Sequence, residues 1–524
     1  MSKDQVKIID RFYGGIVRDD KSKTIGALSN AEEVDIFTNQ DYVQAEQIVS
    51  SDAMPASTEI YAYSAGDDDT MYGYGKETAN SKVRLVSVAN GGATNPGDFA
   101  TLATEADATN LATVVSDLKF FRTTEASNPT SLYWIKGTSA SWYIARYNLG
   151  AAAFQRWTGS AWSGSGSWDS NSQLTGITGS FMRPTMKVIF GELFICHGQY
   201  IAKVDAEGTF TEKAFTLPKE WEAVDIIPVS DVAIVLARNK NRLVNASKGF
   251  WWDLTSSSQF DDSFNIPFGG PCWIFNHKET IKILCAINGV AKLFQMSGAF
   301  PGAIPLELPG ISMTNVGVET TTQPISSPKM VDTKDKILYF NLFKTDKSGI
   351  YAIGQLDADK PNALILSKRF DTSDYSLHSP TALAIQGPNY YAAFSDNGTA
   401  DHARCETKNS PTRSSNAVIE IVWQDIDAPL QDKDLVRAYI ISYPLAASTS
   451  LDLSIASNYS STYTSIKRAD DTIFNTLNGL FGLFRPAAFA DKKVFRAKVA
   501  FTSSTTNTPK LVAIGLRVSI KQID

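Results

Sequence analysis

The sequence predicts an all-β protein: a β-propeller of about six to eight blades, a C-terminal antiparallel β-sandwich and an extended N-terminal segment. Three observations lead there. Short apolar runs alternate with polar residues at a period of two along most of the chain. These runs come in packets spaced by about 40 to 50 residues, the length of one four-stranded blade. Helix signals are scarce, whereas Thr, Ser, Val, Ile and aromatic residues abound, as strands require.

The totals agree. Of 524 residues, 43% are hydrophobic and 20% charged, which supports an ample core and argues against disorder. The 49 basic and 55 acidic residues leave a net charge of −6, with no basic excess to hold phosphates. The four cysteines, Cys196, Cys272, Cys285 and Cys405, form no C-x-x-C pair and are too sparse for a disulfide framework. They read as small buried apolar side chains of a protein made in a reducing cytoplasm. No run approaches the roughly 18 apolar residues of a membrane span. Residues 1–10 are charged and lack the apolar core of a secretory signal.

Residues 1–54 form the first region. Phe12-Tyr13-Gly14-Gly15-Ile16 contains two glycines that allow a tight turn or a close backbone approach. Two readings stand: an arm lying along the propeller or a neighbouring subunit, or the outer strand that closes the propeller ring. Phe12, Gly14 and Gly15 are the candidate subunit contacts here.

The propeller is assigned to residues 55–414. Its clearest packets span 187–217, 221–267, 271–310, 328–370 and 380–406, with Pro218, Pro267, Pro309, Pro328 and Pro380 near the joins. One four-stranded unit cannot bury both its faces, so units arranged radially bury them against each other. No W-D or kelch signature repeats, so the repeat is structural. The best helix candidate, 102–118, lacks an apolar stripe and is rich in Thr and Val. Residues 158–180 are rich in Ser, Gly and Trp and read as an exposed hairpin tip. Trp162 and Trp168 there are candidates for binding a glycan or a protein partner; the competing reading packs both against neighbouring blades.

Residues 415–524 change character. Longer strands with clean alternation, ending in Leu511–Ile520, predict the separate sandwich. Residues 472–489 are apolar, reading as a short helix, a loop over a partner subunit, or sandwich core. Phe481 and Phe484 are the candidate contacts in this stretch.

Catalytic signatures are missing from the sequence. His197, His277, His378 and His402 show no metal-binding spacing, and His402 with Cys405 supplies only two ligands. No G-x-S-x-G elbow, P-loop or dinucleotide fingerprint occurs. Asp67-Asp68-Asp69 and Asp261-Asp262 lack the alternate oxygen ligands of a Ca²⁺ loop and read as solvated turns. Ser395-Asp396-Asn397-Gly398-Thr399 matches part of a sialidase Asp-box, without its later Trp and without repetition. The sequence alone therefore points to no catalytic residue, no metal, no cofactor and no enzymatic activity.

The F-x-G-G-I segment at Phe12–Ile16, the irregular packets and the closing run Thr508-Pro509-Lys510-Leu511-Val512-Ala513-Ile514-Gly515 together resemble the β-propeller tail proteins of tailed bacteriophages, of the nozzle, ring or tail-tip type. The resemblance implies a structural virion protein, present as a homo-oligomeric ring around the tail axis. It implies other tail proteins as partners, transient passage of DNA during genome ejection, and assembly in the host cytoplasm. A carbohydrate-binding receptor protein is the alternative, motivated by the two tryptophans, and a propeller glycosidase a further one.

Overall fold

A computed structural model describes residues 3–12, 15–16, 27–37, 39, 41–46, 55, 58–77, 82–89, 99–105, 114–126, 129–137, 141–164, 169–176, 184–241, 246–266, 271–277, 280–287, 290–296, 303–306, 331–334, 337–342, 349–354, 363–369, 379–386, 389–395, 402–407, 417–426, 428–466, 482–484, 489–504 and 506–521. Within them the regular secondary structure is all strand apart from one 3-10 turn, Ser170–Ser172, capped by Asp169, whose carboxylate accepts the Asn171 amide. No helix among the described residues is long and apolar enough to cross a membrane. The weak helix candidate at 102–118 is flanked by strand at both described ends, Ala100–Thr104 and Val114–Arg122. Its β-branched residues fit a pleated surface better than a helix.

Small antiparallel sheets follow one another in chain order. They cover residues 58–104, 114–163, 185–216, 221–266 and 271–306, then 331–369 as one run of a larger sheet, then 379–407. Strands adjacent in sequence pair within each sheet, so each is a meander. The first strands stand side by side: Thr58–Ala65 beside Val114–Arg122, Val114–Arg122 beside Thr185–Ile189, then Trp221–Val229 and Pro271–His277. Val331–Lys334 stands beside Ser379–Gln386, which returns to Thr58–Ala65. Apolar clusters lie between successive sheets. Phe121, Tyr133, Ile135, Leu193 and Ile195 join the second to the third, and Ile227, Leu236, Ile274 and Ile283 the fourth to the fifth. Tyr63, Val86, Ala382 and Tyr391 join the first to the last. Faces buried against neighbouring sheets, with first strands adjacent, make a propeller-like arrangement.

The terminal regions are woven together. Strand β1 (Lys3–Ile9) pairs antiparallel with Leu511–Ile520, which pairs in turn with Lys433–Ser442. Strand β2 (Gly15–Ile16) lies parallel to β3 (Ala27–Glu32). On one side β3 meets Ala363–Arg369 in parallel, at Glu32 and Leu366, and on the other it pairs antiparallel with Val418–Ile421. The larger sheet then runs on through Phe495–Thr502 and Ser450–Ser457. Its apolar side chains, among them Ile419, Leu453 and Val499, share one core with Leu435, Ile440, Ile514 and Leu516 of the sheet carrying β1. Phe495–Thr502 buries every second side chain from Phe495 to Phe501, the pattern of a strand with one face inward. The N-terminal segment thus divides: β1 lies on the sheet of Leu511–Ile520, and β3 lies beside Ala363–Arg369, the last strand of the 331–369 run. In the register with Leu511–Ile520, Val6 and Ile8 face outward, while Gln5, Lys7 and Ile9 are half-buried.

Candidate functional site

Several buried charged side chains lie where sheets meet. In Val114–Arg122 the pairing slips between Val115 and Leu118; in Trp221–Val229 it slips between Ala223 and Asp225. Such bulges re-aim a side chain. In both strands the re-aimed residue is a buried aspartate reaching the next sheet. Asp117 Oδ1 accepts the Leu118 amide at 2.9 Å, and its Oδ2 accepts the Met186 amide of the third sheet at 3.0 Å. Asp225 Oδ1 accepts the Ile226 amide at 2.9 Å, and its Oδ2 accepts the Ile274 amide of the fifth sheet at 3.0 Å. Lys187 of the third sheet donates to Asp225 Oδ2 at 2.9 Å and to the Ile274 carbonyl at 2.7 Å. Ser64 accepts the Phe120 amide at 2.8 Å, and the Thr185 hydroxyl donates to the Val224 carbonyl at 2.8 Å. These contacts tie one first strand to the next.

A second cluster joins the second sheet to the third. The Arg146 guanidinium donates to both Glu125 oxygens at 2.8 and 3.1 Å, to Gln155 Oε1 at 2.8 Å and to the Tyr133 hydroxyl at 3.0 Å. It lies 4.9 Å from the centre of the Trp162 ring. Burial pushes the Tyr133 phenol up to about 12, against the pull of Arg146. The Trp162 indole N–H donates to the Gly208 carbonyl of the third sheet at 2.7 Å. Trp162 is only 9% exposed. It is therefore no exposed glycan platform: its ring faces are taken by Arg146, Tyr133 and Trp157, and its one donor is spent. Trp168 lies outside the described residues.

His197 is a further buried polar group. It is fully buried, with Nε2 2.9 Å from the Glu212 carbonyl, so Nε2 carries the proton in the neutral tautomer. Burial lowers its pKa to about 4. Gly176 packs so tightly on it that a Cβ there would sit 2.2 Å from the His197 carbonyl oxygen. The Cys196 and Cys285 side chains are buried, and burial raises the Cys196 pKa. Among the described residues no cluster of His, Cys, Asp or Glu has the makings of a metal site.

The other sequence-predicted contacts scatter. Phe12 is 4% exposed and belongs to the core shared by the terminal sheets, so it is not a surface contact. Gly15 pairs with Ala27 in the β2–β3 ladder. The Phe484 backbone pairs with Ala438. Gly14, Phe481 and Asp396–Thr399 lie outside the described residues. Asp67-Asp68-Asp69 is an exposed turn in which Asp67 meets Arg122 at 2.6 Å. Sequence reasoning missed Asp117, Asp225 and Arg146. The one signal available was Asp before an aliphatic residue early in a packet's first strand, in Asp117-Leu118 and Asp225-Ile226.

No family model matches the chain, and no curated protein matches it. Among solved structures, an exo-β-1,3-galactanase from Phanerochaete chrysosporium aligns over 90% of this chain and 100% of its own, at 9% identity and a TM-score of 0.30. A GH74 xyloglucanase from Xanthomonas campestris aligns over 75% of this chain and 60% of its own, at 11% identity and a TM-score of 0.39. The Dos1 propeller aligns over 72% of this chain and 95% of its own, at 9% identity and a TM-score of 0.38. Glycan-cleaving enzymes among these structures correct the expectation that the chain has no enzymatic activity. The physical reason is that paired carboxylates converge in space from separate strands, so a missing linear motif excludes nothing. At these identities and scores the likeness transfers no activity to this chain.

Proposed function

We propose that the protein is a structural subunit of a bacteriophage tail, of the nozzle, ring or tail-tip type, present in several copies around the path of the genome. In this reading the successive sheets of residues 58–407 are about seven blades of one propeller. Residues 417–520 and β1 form a two-layer sandwich, and β3 is the strut joining the two bodies.

The observation that carries the reading is where the resemblance-bearing segments sit. Phe12 is in the shared core, Gly15 and Ile16 line β3, and Leu511–Ile520 holds β1. The residues that resemble tail proteins thus lie in the terminal sheets and beside β3, the strand that meets both Ala363–Arg369 and Val418–Ile421. A body built this way suits transmission of load along a tail. Its net charge of −6 suits passage of DNA, since an acidic wall does not retain phosphates. The buried position of Trp162 removes the described half of the motive for a glycan-binding reading.

Immunogold labelling of virions with an antibody to the purified chain tests the proposal. Gold on the tail is expected. Particles labelled elsewhere, or not at all while the antibody binds the denatured chain from the same particles, would overturn it.

A further inference from the structure

We propose that β1 is exchanged between copies, each subunit inserting its Lys3–Ile9 strand beside the Leu511–Ile520 strand of the next. The inference rests on the reading of the protein as a ring of like subunits. It goes beyond that reading by naming the contact that closes the ring.

Among the described residues, strand β1 is an edge strand, paired on one side within its sheet. Its ladder runs from Lys3 opposite Ile520 to Ile9 opposite Ile514. Side-chain anchorage is slight. Val6 and Ile8 point outward and are 51% and 52% exposed. On the inward face Gln5 and Lys7 are polar and half-buried, and Ile9 packs against the core. One ion pair helps, Asp4 with Arg517 at 2.6 Å, and both side chains are over a third exposed. Such a pair contributes little. What holds β1 is mainly its main-chain ladder.

The root of the strand is fixed. Phe12 is buried in the shared core, with Asp10 and Arg11 exposed between it and the strand. Those two residues are the natural hinge. A strand that pivots there reaches roughly 30 Å when extended, at about 3.3 Å per residue. Any copy's β1 carries the same residues in the same order, so the ladder, the Asp4–Arg517 pair and the Ile9 contact form equally well between copies. Exchange therefore costs no contact, and in a ring the neighbouring edge is presented at high local concentration. It also sets Val6 and Ile8 at a seam between subunits, where half-exposed aliphatic side chains gain cover. The occupant of the Leu511–Ile520 edge is thus a second copy of this chain.

Disulfide trapping tests the exchange. Val6→Cys with Arg517→Cys places thiols at facing positions of the ladder, and Asp4→Cys with Ser519→Cys is a second such pair, each beside single-cysteine controls. The assembled protein is oxidised, denatured and run without reductant. The expected result is a series of covalent multimers from both pairs and none from the controls. A ring that yields only internally cross-linked monomers overturns the exchange and leaves the ring itself standing. A chain that forms no ring at any concentration overturns the functional reading, and the exchange with it. A variant lacking residues 1–9 should fold with nearly the same melting temperature yet fail to assemble; a ring from that variant also overturns the exchange.

Discussion

Asp225 carries three jobs at once: it caps its own strand's bulge, accepts the Ile274 amide of the next sheet, and pairs with Lys187 of the preceding one. Its side chain is 2% exposed against 30% for Lys187, so its loss leaves an amide without a partner in a dry place. Asp225→Ala should therefore lower stability by about 3 kcal/mol, read from denaturant midpoints. A loss within the range of an ordinary surface change would show that the clamp is ornamental. His197 gives a pH dependence of known sign. Its pKa is depressed from 6.5 in the unfolded chain to about 4 in the fold by burial. Below pH 6.5 the unfolded chain binds the proton first. The stability His197 contributes is thus full above pH 6.5 and is lost as pH falls towards 4, by about 3 kcal/mol in all. His197→Gln should flatten the slope of stability against pH in that window; an unchanged slope would clear His197 of the effect.

Among elements, the strands at Leu511–Ile520, Phe495–Thr502 and Thr280–Ile287 were legible because period-two alternation is a local property. The packets at 187–217 and 221–267 met sheets at 185–216 and 221–266 for the same reason, with Gly191 and Gly198 marking the turns at positive φ. What alternation does not encode is which distant strand pairs with which. The pairing of β1 with Leu511–Ile520 and the strut position of β3 were for that reason illegible. So were the bulges at Asp117 and Asp225, since an extra residue in a ladder leaves no periodic trace. Trp162 failed differently: a Ser/Gly-rich context read as exposure, whereas the indole closes on Gly208 of another sheet. Tyr439 and Gly515 show how a sheet surface is fitted by one missing atom. A Cβ on Gly515 would lie 1.7 Å from Tyr439 Cε2. Gly515→Ala should cost about 2 kcal/mol through overpacking. In the Tyr439→Ala background that cost should vanish, and a denaturation double-mutant cycle with no coupling would refute the contact.

On the scale of the whole molecule, stability and function draw on one design. Neighbouring small sheets bury apolar faces against one another, the first strands from Thr58–Ala65 to Pro271–His277 are clamped by Ser64, Asp117, Thr185 and Asp225, and β3 joins the larger sheet to the terminal strands. A cryo-electron microscopy map of the purified protein weighs this account most directly. It should show small sheets set radially about a common axis, a two-layer β body carrying β1 at its edge, and several such subunits in a closed ring. A map of isolated subunits, or one whose sheets stack face to face with no shared axis, would contradict it.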